Sequence, residues 1–175
     1  LTSDMGCQDN IIKDVIIHEI PLVDFIIENY CEGDGNVFSD LSSLVNGWIT
    51  TVEYNFNDGF ISADSTVAHV FNGYGLFDVE LTVTSNEGCS NSKVKTTEVF
   101  PNPIVDFVAS QFCEEEPTVF YDFSFVPNSN IVSYNWSFGL EGSSITKNNM
   151  YTFLSNGVYD VTLLVVSDKW CESIL

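Results

Sequence analysis

Residues 75–84 read GLFDVELTVT, and residues 157–166 read GVYDVTLLVV. In the first stretch Phe77, Val79, Leu81 and Val83 alternate with Asp78, Glu80, Thr82 and Thr84. A period of two with one polar face is the pattern of a half-buried β-strand. In the second stretch Tyr159, Val161, Leu163 and Val165 take the inward positions. Its outward face carries Leu164 and Val166, where contact with a neighbouring module would explain apolar side chains.

The two stretches begin at Gly75 and Gly157, 82 positions apart, and the offset holds along the chain. Residues 21–31, PLVDFIIENYC, correspond to residues 103–113, PIVDFVASQFC. Val37-Phe38, Asp40, Phe56 and Phe71 correspond to Val119-Phe120, Asp122, Phe138 and Phe153, and Gly6-Cys7 corresponds to Gly88-Cys89. An internal period is the mark of an array, and one this long gives each unit a core of its own. It divides the chain into the tail of a preceding repeat (1–20), one complete repeat (21–102) and a repeat without its last strand (103–175). Further strands are expected at 22–27, 36–40, 49–56, 66–71 and 92–99. Turn residues separate them: Glu-Gly-Asp-Gly at 32–35, Asn-Asp-Gly at 57–59, Asn-Gly-Tyr-Gly at 72–75 and Asn-Glu-Gly at 86–88. Short strands at this spacing, with no helical period, predict all-β sandwiches in tandem. Pro101-Asn102-Pro103 cannot continue a hydrogen-bonded ladder and marks a stiff junction.

The five cysteines are Cys7, Cys31, Cys89, Cys113 and Cys171. Cys31 to Cys89 is 58 positions, as is Cys113 to Cys171. The equal spacing predicts one bridge inside each module, Cys31–Cys89 and Cys113–Cys171, each worth roughly 4 kcal/mol on the chain-entropy picture. Cys7, the counterpart of Cys89, is left without a partner in this stretch. Zinc prefers closely spaced ligands, and these cysteines are isolated, so disulfides and an oxidising compartment are the reading.

With 25 Asp and Glu against 5 Lys and no Arg, the net charge is −20. Such a surface repels phosphate and argues against nucleic acid or anionic lipid as partners. No apolar run is long enough to span a bilayer as a helix, so no membrane insertion is expected.

Three ordered motifs, each present twice, resemble the PKD (polycystic kidney disease) domain. The first is Pro21-Leu22-Val23-Asp24-Phe25 and its copy at 103–107. The second is Tyr54-Asn55-Phe56-Asn57-Asp58-Gly59, answered by Trp136-Ser137-Phe138-Gly139. The third is the Gly75 strand and its copy from Gly157, which keeps Tyr159. The resemblance implies tandem immunoglobulin-like seven-stranded sandwiches with Phe25, Tyr54, Phe56, Phe107, Trp136, Phe138 and Tyr159 in the cores. Tandem acidic, cysteine-bearing copies are also similar to the SprB-type gliding-motility adhesins of Bacteroidetes, which are exported by type IX secretion. That resemblance implies a non-catalytic stalk segment of a long extracellular, cell-surface adhesin used in attachment or gliding. Its partners would be neighbouring repeats, with extracellular polysaccharide or cell-surface proteins as further candidates. The alternative is a polysaccharide- or protein-binding accessory module of a secreted hydrolase.

Nothing in the sequence points to catalysis. His18 and His69 do not recur at the repeat offset, where Phe100 and Tyr151 stand, and both are read as ordinary strand residues. No nucleophile elbow or phosphate-cradling glycine loop is present. No cofactor is expected. Calcium is the one metal that the acidic turns favour, with Glu32, Asp34, Asp40 and Asp58 as candidate oxygen donors, although there is no twelve-residue calcium loop. Trp48, Phe60 and Trp170 fall near loops, where aromatic rings can stack on sugars. Asp64-Ser65-Thr66 is similar to the O-glycosylation signal of Bacteroidetes and makes Ser65 a candidate acceptor.

Overall fold

The computed structural model describes residue 5, residues 11–140 and residues 142–175. Its strands fall into two groups of seven. The first comprises β1 (Phe25–Glu28), β2 (Asn36–Asp40), β3 (Ile49–Asn55), β4 (Ile61–Ser62), β5 (Thr66–His69), β6 (Gly75–Ser85) and β7 (Ser90–Val99). The second comprises β8 (Phe107–Ser110), β9 (Pro117–Asp122), β10 (Ile131–Ser137), β11 (Ser143–Ser144), β12 (Asn149–Thr152), β13 (Thr162–Ser167) and β14 (Glu172–Ile174). Each group forms a sandwich of a three-stranded and a four-stranded sheet. The sheet orders are β1-β2-β5 over β4-β3-β6-β7, and β12-β9-β8 over β11-β10-β13-β14. The all-β sandwich class read from the alternation is the observed class.

The two sandwiches repeat in detail. The β3–β6 ladder slips between Ile49 and Thr51, and the β10–β13 ladder slips at the corresponding place, between Ile131 and Ser133. The two-residue strands β4 and β11 are additions to the expected set, too short to show any period.

Strand β6 buries Val79, Leu81 and Val83 of the inward set and half-buries Phe77, and its outward Asp78, Glu80, Thr82 and Thr84 stay wetter than the buried three. In β13 the inward Leu163 and Val165 are fully buried. The outward Leu164 and Val166 are half-buried within their own sheet, opposite Ile174 and Glu172 of β14.

Aromatic rings fill both cores. Phe25, Tyr54 and Phe56 are buried with Phe38 in the first, and Trp136 and Phe138 with Phe120 in the second. Phe107 and Tyr159 pack only partly buried. They wall a cleft of about 480 Å³ between β8 and the chain leading into β13. In the first sandwich the equivalent space is filled by β7, whose Thr97 lies opposite Phe77 and whose Val99 is buried in the core.

Tyr54 and Trp136 hold the same position, but only one is satisfied. The Trp136 indole N–H donates to the Thr146 carbonyl at 2.9 Å. The Tyr54 hydroxyl has no hydrogen-bond partner among the described residues, and burial pushes its pKa up. An unpaired buried hydroxyl costs about 1–3 kcal/mol of desolvation. Tyr54→Phe is therefore expected to leave the first sandwich equally stable or to stabilise it by ~1 kcal/mol. A denaturant titration reads this, and a loss of more than ~1 kcal/mol would reveal a bond that the hydroxyl makes.

Candidate functional site at the junction between modules

The β6–β7 and β13–β14 connections are built alike. Ser85 N–H donates to the Cys89 carbonyl at 2.9 Å, and its hydroxyl accepts from Cys89 N–H at 3.1 Å. Ser167 makes the same pair with Cys171, at 2.8 and 3.2 Å. The serine thus fixes the cysteine at the start of the last strand in both modules. The turn residue before it has positive φ, 78° at Gly88 and 65° at Trp170. Glycine accepts that conformation freely, whereas a side chain costs roughly 1–2 kcal/mol there. Trp170 is 85% exposed, so little burial offsets the cost. Trp170→Gly is expected to raise the stability of the second sandwich by about 0.5–1 kcal/mol, read by denaturation with the disulfide intact.

The opposite pole of the first module is set by how the first strand meets the last. Lys95 donates to the Phe25 carbonyl, Thr97 Oγ1 to Asn29 Oδ1 at 2.8 Å, and Cys31 bridges Phe100 in parallel. Strand β1 therefore runs beside β7 in the same direction. At the start of this contact Asn91 Nδ2 donates to the Pro21 carbonyl at 2.9 Å. Asp24 meets Lys93 Nζ at 2.8 Å and Lys95 Nζ at 2.9 Å, and these two ammonium groups hold its carboxyl well below the usual carboxylate range. Lys95 also sits over the Phe25 ring, 5.0 Å from its centroid. Two of the five lysines are thus committed to clamping the first strand to the last.

This geometry overturns the expected disulfide pairing. Cys89 precedes β7, and Cys31 lies beside Phe100, just past its other end. Ten extended residues separate the two ends by about 33 Å. A disulfide needs Cα atoms within roughly 7 Å, so Cys31–Cys89 cannot form in the folded module, and by the repeat neither can Cys113–Cys171. The bond observed instead is Cys31–Cys171, with Cα atoms 5.6 Å apart. It ties the far pole of the first module to the β13–β14 turn of the second. Cys89 and Cys113 are free thiols. Cys7 lies outside the described residues.

Around the bond the junction is knitted by main-chain contacts. Phe100 N–H donates to the Tyr30 carbonyl at 3.1 Å, and Glu32 N–H to the Phe100 carbonyl at 2.8 Å. Asn102 Nδ2 donates to the Glu32 carbonyl at 2.8 Å. Lys169 Nζ stands 5.4 Å from the centroid of the Phe100 ring. The segment entering the first module repeats this arrangement. His18 is the counterpart of Phe100 and Glu87 that of Lys169, and His18 Nε2 lies 3.6 Å from the Glu87 carboxylate. Asn46 donates to the neighbouring Glu19 carboxylate at 3.1 Å. Sequence reasoning missed these junction pairs. Their signal was available in the turn positions Glu87 and Lys169 falling one repeat apart, like His18 and Phe100.

The other candidate residues are scattered. Among the described residues no group of three or more His, Cys, Asp or Glu side chains could hold a metal ion. Asp40 caps its own turn, accepting from Ser42 N–H at 2.8 Å. Asp58 accepts from Phe60 N–H at 3.0 Å and lies 2.7 Å from His69 Nε2. Burial raises the Asp58 pKa, but those two contacts outweigh it, and the net shift is downward. The His69 ring packs 4.3 Å from the Phe56 ring, as its counterpart Tyr151 packs 4.3 Å from Phe138. That is a core position. Trp48, Phe60 and Trp170 are exposed, and Ser65 is exposed in the bend before β5.

Among the described residues no helix is long and apolar enough to cross a membrane. The sequence pattern of the PKD domain family matches residues 18–100 and 101–173. Among solved structures, the PKD1 domain of Vibrio anguillarum Epp is 23% identical, over 47% of this chain and 96% of that one, at a TM-score of 0.44. The PKD1 domain of the Vibrio cholerae metalloprotease PrtV is 26% identical, over 46% and 98%, at 0.42. The fibronectin(III)-like modules of Clostridium thermocellum CbhA are 14% identical, over 88% and 89%, at 0.41.

Proposed function

Because this chain belongs to the PKD domain family and carries two of its domains in tandem, we propose that it is a load-bearing stalk segment of a long cell-surface adhesin. PKD domains and a disulfide are typical of extracellular proteins. The observation that carries the stalk reading is the Cys31–Cys171 bond, which joins one module to the next rather than bracing a single fold. A cross-link placed between modules resists their separation and bending. That is a property a stalk uses and a lone accessory domain does not. The net charge of −20 keeps neighbouring fibres apart. The acidic, cysteine-bearing repeat supports attachment or gliding of the SprB type, with export by type IX secretion, as the setting. The segment itself acts without catalysis, and the adhesive ligand, a polysaccharide or a surface protein, is bound elsewhere in the array.

Immunogold electron microscopy on intact source cells, with antibody against residues 21–102, tests the reading. Gold along surface filaments is the expected result. Bare cells with the antigen dissolved in the medium would overturn it and favour an accessory module of a secreted hydrolase. On the same reading Ser65 carries an O-glycan, so the intact mass exceeds that of the bare polypeptide. A mass equal to the bare chain removes the glycan without touching the stalk.

A further inference from the structure

Each module presents one cysteine at each pole, and among the described residues one facing pair meets, Cys31 with Cys171. Cys89 and Cys113 hold the same positions on the outer poles. Cys89 sits in the serine-braced turn that positions Cys171, with matching hydrogen bonds. Asp34 N–H closes the turn onto the Cys31 carbonyl at 2.9 Å, and Glu116 N–H does so onto the Cys113 carbonyl at 3.3 Å.

We propose that Cys89 and Cys113 are coupling cysteines, each forming a disulfide with a further copy of this module docked head to tail. Cys89 takes the first-strand cysteine of the copy before it, and Cys113 takes the turn cysteine of the copy after it.

One observation beyond the cysteines specifies that partner. At the pole of Cys89, His18 and Glu87 already make the contact that Phe100 and Lys169 make across the bonded junction. The entering chain is thus laid down in the junction register, with Cys89 facing where a first-strand cysteine belongs. At the pole of Cys113, Phe112 lines the cleft beside β8 and its ring is exposed. Each bond forms by thiol–disulfide exchange with an extracytoplasmic disulfide donor. The protein's two thiols lose two electrons and two protons, and the donor's S–S bond is reduced to two thiols. Repeated along an array, the pattern links every module covalently to both neighbours, in addition to the backbone.

The test is disulfide mapping of the protein as its source makes it, alkylated before extraction, digested without reduction and analysed by mass spectrometry. The expected result is that the Cys89 and Cys113 peptides are each recovered joined to a cysteine peptide of the complementary kind, first strand with turn. Alkyl groups on either cysteine, a small-thiol cap, or a Cys31–Cys89 or Cys113–Cys171 peptide pair would overturn the proposal. The mapping outcome is independent of where on or off the cell the protein resides.

Discussion

Pulled by handles at Pro21 and Leu175, the oxidised chain is expected to lengthen far less than the reduced one. Load entering at Pro21 travels along β1 to Cys31 and crosses the disulfide to Cys171. It leaves through the last few residues. The 140-residue separation between the two cysteines lies outside that path. At ~3.3 Å per extended residue, on the order of 450 Å of chain stays hidden until the bond is cut. A single-molecule trace should therefore show sandwich unfolding with the full contour gain only in reductant. Cys31→Ala in non-reducing buffer should give the reduced trace. Equal contour gain with and without reductant would show that the bond does not carry the load.

Trp136→Ala is expected to cost the second sandwich about 3–5 kcal/mol, a large share of the roughly 5–15 kcal/mol that holds a small domain together. Trp136 is fully buried, and its ring centre lies 5.0, 5.7 and 6.2 Å from those of Phe107, Phe120 and Phe138. Truncation opens a cavity among three rings and leaves the Thr146 carbonyl without its indole donor. The first sandwich has its own aromatic cluster and should stay folded. Amide resonances split into a dispersed set and a collapsed set would report this. A loss below ~1 kcal/mol would mean that the core is not organised around the indole.

The strands were legible because burial on one face writes a period of two into the sequence. Phe77 to Val83 shows this, and the structure buries Val79, Leu81 and Val83. Phe25, Tyr54, Phe56, Trp136 and Phe138 were legible as core for the same reason, together with the repeat, whereas Phe107 and Tyr159, also expected there, are only partly buried. Strands β4 and β11, at two residues each, carry no period to read. The cysteine pairing was not legible, and the cause is general. In a periodic chain the step from Cys31 to Cys89 recurs, but so does the step from Cys31 to Cys171. Equal spacing cannot separate pairing within a repeat from pairing one repeat onward. The decision lies in the length of β7 and the direction in which β1 runs beside it, and both are three-dimensional facts. The turn strain at Trp170 escaped notice because its counterpart is a glycine, and a mismatch in a repeat reads as drift until a positive φ gives it a cost.

The position of the disulfide also sets an order of events. In an unfolded chain Cys31 meets Cys89, 58 residues away, more readily than Cys171, 140 residues away. Loop closure alone favours the nearer thiol by about 0.8 kcal/mol. Only a formed β7 keeps the near pair apart, and only a finished second module presents the far partner. Folding must therefore run ahead of oxidation. A chain oxidised while still unfolded would lock Cys31 to the wrong sulfur, and a chain folded in reductant and then oxidised would find the right one.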